Sequence, residues 1–108
     1  MKIVSMISRQ FAVAMVVTVS ACGGDAPDGA TLVAEKGCVA CHGEKGKAIA
    51  PMYPNLKGQH ETYLRVQLSA YKSGKRINAV MNGMAKDLSD QEIGILAAHS
   101  VVSRLAPD

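Results

Sequence analysis

This 108-residue chain predicts an all-α domain, and three observations carry that prediction. Ser89-Asp90-Gln91-Glu92 has the form of a capping box, and it precedes apolar residues at helical spacing: Ile93, Leu96, Ala97 and Val101. Leu64, Leu68 and Tyr71 recur at i, i+4 and i+7, with Gly74 to close that helix. Before both patterns, residues 43–57 contain Gly43, Gly46, Pro51 and Pro54, which exclude a regular helix or a central strand.

The N-terminal part is not expected to belong to the fold. Lys2 and Arg9 precede an apolar run from Phe11 to Val19, the pattern of an export signal over residues 1–21. The run is too short for the ~20 residues that cross a bilayer. It ends Val19-Ser20-Ala21-Cys22, which resembles the lipobox of bacterial lipoproteins. Cys22 would then be the lipidated first residue of the mature chain, held on the periplasmic side of a membrane. Cleavage without lipid would leave a soluble periplasmic protein. Residues 22–28, rich in Gly, Asp and Pro, read as a tether, leaving 29–108 as the single domain.

Charge excludes one function class. The chain has 12 basic and 9 acidic residues, and loss of Lys2 and Arg9 with the signal leaves 10 against 9. No concentrated basic patch for nucleic acid follows from that balance. Core-building residues are scarce: the only Phe is Phe11, there is no Trp, and there are three Tyr. A domain this small buries only ~60% of its unfolded surface, so an apolar prosthetic group at the centre would supply the missing bulk. The apo form is expected to be largely disordered.

The chemistry-bearing stretch is Cys38-Val39-Ala40-Cys41-His42-Gly43. A C-x-x-C-H motif is the attachment signature of c-type haem: Cys38 and Cys41 add to the two vinyl groups, and His42 is placed as the proximal iron ligand. A zinc site would need a second ligand pair, and a thiol redox pair is expected beside a βαβ pattern; the sequence offers neither. One cysteine for lipid and two for haem leave none for a disulfide.

Around the motif, Asp28 can cap a first helix over residues 30–36, with Leu32 and Val33 inward and Gly37 ending it. The loop 43–57 would lie over one haem face, where a backbone carbonyl can accept the Nδ1 proton of His42; Pro51 is the candidate. A helix over 60–72 brings Tyr63 and Tyr71 toward the porphyrin, and His60 reads as a solvated first-turn residue. Met52, Met81 and Met84 are the candidates for a soft thioether ligand on the distal side. Met52 lies on the proximal loop, and spacing alone does not separate Met81 from Met84.

Cys38-Val39-Ala40-Cys41-His42-Gly43, Pro51 to Gln59, Tyr63-Leu64 with Gln67-Leu68, Gly74-Lys75-Arg76, Met81, Leu88-Ser89-Asp90 and Leu96-Ala97-Ala98 occur in order. Together they resemble the class I cytochromes c of the c4 and c553-like branch. The resemblance implies a cytochrome c fold, three to four helices wrapped around one covalent haem c, with His and Met axial ligands. It supports Pro51 as the carbonyl partner of His42. It also selects Met81, eight residues before Ser89. One departure stands out: a large aromatic is expected after Ala98, and this chain has His99.

An iron with both axial positions filled has no open site for substrate. The reading is therefore a one-electron carrier rather than an enzyme, with donor and acceptor proteins as partners, as a monomer or as a subunit of a membrane redox complex. A labile methionine would instead make a haem sensor or peroxidase, and free thiols an exchange protein.

Overall fold

The computed structural model describes residue 16 and residues 25–102, without the side chains of 101 and 102. The signal sequence apart from Val16, residues 22–24 of the tether including Cys22, and the final residues lie outside the described residues, as does the side chain of Val101. Five helices and no strand occur among the described residues: α1 (Gly29–Glu35), α2 (Val39–His42), α3 (Glu61–Ser73), α4 (Ala79–Ala85) and α5 (Asp90–Val102). None of these helices is long and apolar enough to cross a membrane.

The helix starts follow local chemistry. Asp28 caps α1, accepting from the Thr31 N–H at 3.0 Å and the Thr31 hydroxyl at 2.7 Å. The capping box of α5 forms reciprocally: Ser89 Oγ accepts from the Glu92 N–H at 3.1 Å, and Glu92 Oε2 accepts from the Ser89 N–H at 2.8 Å. Helix α3 ends at Gly74, whose left-handed backbone (φ 79°) places its N–H on the Tyr71 carbonyl.

The sequence patterns did not delimit α2 and α4. Helix α2 is a single turn, and α4 has an interior glycine, Gly83, within seven residues, so neither displays a full apolar period. Helix α4 forms because Asn78 caps it and because Ala85 at its end is fully buried.

Helix α5 is the central element, packed against both α1 and α3, while α4 packs mainly against α3. Leu32, Ala85, Leu88, Ile93 and Leu96 form one buried cluster, flanked by Val33, Cys38, Leu68, Tyr71 and Ile95. Ile93, Leu96 and Ala97 are buried as the helical period of α5 requires. An ion pair from Lys36 to Glu92, at 2.8 Å, ties the end of α1 to the start of α5.

His99, where a large aromatic was expected, makes a close helix crossing. A Cβ built on Gly29 would lie 2.4 Å from the His99 Cβ and 2.8 Å from its Cγ. The missing side chain at Gly29 makes room for His99, and α1 and α5 meet there.

Candidate haem site

The site begins with the turn that carries the motif. Cys38 precedes α2 and His42 is its last residue, so one turn of helix holds both cysteines and the histidine at fixed offsets. Gly43 ends the turn at φ 75°, and a Cβ there would lie 2.1 Å from the Lys47 carbonyl oxygen. Only glycine allows the chain to double back this tightly.

The loop that follows is fixed by its own hydrogen bonds. The Gly46 carbonyl accepts from Leu56 N–H at 2.7 Å and Lys57 N–H at 3.0 Å. Asn55 Oδ1 accepts from Ala48 N–H at 2.7 Å, and Ile49 N–H donates to the Cys41 carbonyl at 3.2 Å. This folding carries Pro54 to the histidine: His42 Nδ1 lies 2.9 Å from the Pro54 carbonyl oxygen. The carbonyl partner is therefore Pro54, not Pro51. Pro51 and Met52 sit on the exposed outer bend of the loop, Met52 being 79% exposed. A carbonyl acceptor makes Nδ1 the protonated nitrogen and leaves the Nε2 lone pair available for a metal.

Above this turn the helices enclose an open-mouthed cavity of about 1060 Å³, its mouth included. Its wall is mostly apolar, with Val33, Leu64, Leu68, Leu88, Leu96 and Ala97 among its residues. Cys38 and His42 enter the wall from the motif, and Met81 and Met84 both enter it from α4. Cys41 is outside the wall, half-buried at the far end of the turn. There it shares a hydrogen bond with the Tyr53 hydroxyl, which pushes that phenol above its ordinary value.

Met81 and Met84 differ in environment. Met81 is half-buried, and its backbone N–H is held by the Asn78 side chain at 3.0 Å. Met84 is 41% exposed, with its methyl carbon 3.5 Å from where a Gly37 side chain would begin. His60 is exposed at the cap position of α3 and lies outside the wall.

Tyr63 and Tyr71 do line the cavity as expected, whereas Gln67, Arg76, Asn78, Asn82 and Ser100 were not singled out as contributors to the site by sequence reasoning alone. Arg76 Nη1 donates to Gln67 Oε1, and its guanidinium stacks 4.8 Å above the Tyr71 ring, all three lining the cavity. Asn78 was the detectable one, being a good cap residue immediately before an apolar segment. Ser100, 7% exposed, returns its hydroxyl to the Leu96 carbonyl at 3.3 Å. Its spacing from Ile93, Leu96 and Ala97 puts it on the buried stripe of α5, which is the signal that could have found it.

The donor set fits an iron porphyrin. An apolar, open-mouthed cavity, a cysteine in its wall, an imidazole with Nδ1 committed to a carbonyl, and soft thioethers from another element together match what haem c requires. Thiol exchange fits poorly, because burial raises the Cys38 thiol whereas reactive thiols are held low. Among the described residues no group of three His, Cys, Asp or Glu side chains is placed to hold another metal ion.

These features define a small helical protein built to enclose covalent haem, and comparison with known proteins gives the family. The cytochrome c family profile matches residues 26–99, and the chain belongs to that family. Cytochrome c-554(548) of Halomonas halodenitrificans is 49% identical over 65 residues, 57% of this chain and 78% of that protein. Cytochrome c4 of Pseudomonas aeruginosa is 40% identical over 83 residues, covering 77% of this chain but only 40% of the relative. A protein named as a thiosulfate dehydrogenase electron acceptor, from Thiomonas intermedia, is 46% identical over 71 residues, 65% of this chain and 32% of that protein. Among solved structures, Acidithiobacillus ferrooxidans cytochrome c4 superposes with a TM-score of 0.58 at 28% identity, over 71% of this chain and 51% of that one. The chain thus spans well under two thirds of these c4 relatives. It is a class I c-type cytochrome with covalent haem c, and its chemistry is haem-based electron transfer.

Proposed function

We propose that the protein is a one-electron carrier in which Cys38 and Cys41 form the haem thioethers and His42 and Met81 are the axial ligands. The observation that carries this is one cavity whose wall contains both His42 and Met81, from separate elements, with His42 Nδ1 already bonded to Pro54. Bound there, haem c supplies a one-electron ferric–ferrous couple. The protein's part is to hold the imidazole in one tautomer, to present a thioether that favours the ferrous state, and to surround both with apolar side chains.

Met81 is preferred to Met84 because it is the less exposed and because its backbone is pinned by the cap of α4. In the ferric holoprotein, the near-infrared sulfur-to-iron absorption band is expected to be present and to vanish in Met81→Ala while surviving in Met84→Ala. Retention of the band in Met81→Ala would overturn the assignment.

The partners are redox proteins that supply and remove single electrons. The relative named as an electron acceptor of a dehydrogenase supports an oxidoreductase as the donor. The pattern of an export signal and the lipobox-like end at Cys22 support a periplasmic domain tethered by lipid, with a soluble periplasmic protein as the alternative. Cys22→Ser is expected to move haem-loaded protein from the membrane to the soluble periplasmic fraction; equal membrane retention would count against the tether.

A further inference from the structure

We infer that Asn82 is a positioning residue: its side chain holds α4 so that Met81 stays in the cavity wall, and it sets how firmly the sixth coordination position of the iron is kept closed. This rests on the reading of Met81 as the ligand.

The Asn82 amide joins three separate pieces of backbone. Its Nδ2 donates to the Tyr71 carbonyl at 2.8 Å, in the last turn of α3, and to the Arg76 carbonyl at 2.9 Å, in the connecting turn. Its Oδ1 accepts from the Asn78 N–H at 2.7 Å, at the start of α4. Both donors and the acceptor are used, and the reversed amide would set like against like at all three contacts, so the orientation is determined. Asn78, fixed by that bond, accepts from the N–H groups of Val80 and Met81 at 3.1 and 3.0 Å. Met81 is thus one residue from one asparagine and directly bonded to another, and the pair forms a closed clasp across the α3–α4 corner.

The clasp matters because the core anchors α4 only at its C-terminal end, through Ala85, and not at the turn that carries Met81. The helix has seven residues, too few to persist unaided. It packs mainly on α3, and Val80 on its outer side is 63% exposed, with Ile77 in the preceding turn 81% exposed. A side chain built at Gly83 would meet nothing within 4 Å. With its C-terminal end fixed by Ala85 and little apolar burial before it, the first turn of α4 is placed by the hydrogen bonds of Asn82 and Asn78, and Met81 moves with that turn.

Haem-loaded Asn82→Ala and Asn82→Asp test this. The aspartate keeps the size and the acceptor for Asn78, but turns a carboxylate toward two carbonyls. Carbon monoxide binding to the reduced protein reads the fraction of molecules with Met81 displaced. Losing the paired bonds is expected to raise that fraction, and with it the apparent affinity for carbon monoxide, about tenfold in both variants. The ferric near-infrared band should weaken in parallel. Asp28→Ala, which removes the cap of α1, is the control for general loss of stability and should leave both readings at the wild-type level.

Wild-type carbon monoxide affinity in both Asn82 variants would overturn the inference, as would an equal rise in Asp28→Ala. If Met81→Ala retains the band, the ligand assignment fails and the inference fails with it. If Met81→Ala loses the band while the Asn82 variants behave as wild type, the ligand assignment stands and only the clasp is refuted.

Discussion

A methyl group at Gly29 would collide with the His99 Cβ, which cannot swing aside as the tip of a long side chain could. Gly29→Ala should therefore force α1 and α5 apart and cost about 1–3 kcal/mol, the usual range for overpacking at a tight contact. Thermal denaturation of the holoprotein checks this, and an unchanged midpoint would show that the helices can separate freely. The same contact shows what single residues revealed and concealed. His99 was visible in the sequence as a departure from an expected aromatic, but its neighbour was not, because the contact joins positions 70 residues apart in the chain. Pro54 is the parallel case in the site. The need for a carbonyl beside His42 was legible, yet the choice between Pro51 and Pro54 depended on how the Gly46 and Asn55 hydrogen bonds fold the loop.

At the level of elements, the start of α5 joins local and tertiary interactions. Glu92 caps the helix through Ser89 and also meets Lys36 from α1. The Lys36 ammonium, and then the Ser89 N–H, hold the Glu92 carboxyl below its ordinary 4.5, and the hydroxyl and N–H of Thr31 hold Asp28 below 3.8. Both carboxyls are stronger acids in the folded protein, so the unfolded chain takes up protons first as pH falls. Their contribution is complete above the ordinary values and is lost as pH drops through the depressed folded values. Denaturation midpoints should accordingly decline below about pH 4.5, and less steeply in Glu92→Gln; an identical acid slope would remove Glu92 from the account. The capping box was readable because it spans only four residues. The Lys36 partner was not, since pairing α1 with α5 is a property of packing.

Across the whole molecule, charge is divided in a way the near-neutral total hides. Segments 43–57 and 72–86, which both contribute to the cavity wall, carry seven basic residues and one acidic residue. The rest of 25–102 carries two basic and seven acidic residues. Lys72 and Lys86 are paired with Asp90 and Asp87 from outside the segments, while Ile77, Val80 and Met84 in the second segment are exposed. A redox partner with an acidic face would be attracted to these basic segments beside the cavity, and a second copy of this chain, equally basic there, would be repelled. The rate of electron transfer to an acidic redox protein is expected to fall roughly tenfold from low salt to about 0.15 M, with a shallower dependence in Lys75→Glu. A rate that ignores salt would exclude steering by this face.

The sequence by itself determined the helical class, the C-x-x-C-H motif at Cys38, Cys41 and His42, the extent of α3 to within one residue at each end and the capping box of α5. Each of these is written in residues at most a few turns apart, where covalent spacing and local hydrogen bonding settle the outcome. Tertiary structure alone decided that Pro54 meets His42, that His99 packs on Gly29, that Asn82 bridges α3 and α4, and that Met81 is better enclosed than Met84. Those contacts join segments that have no fixed spacing along the chain, and only the packing of the helices brings them together.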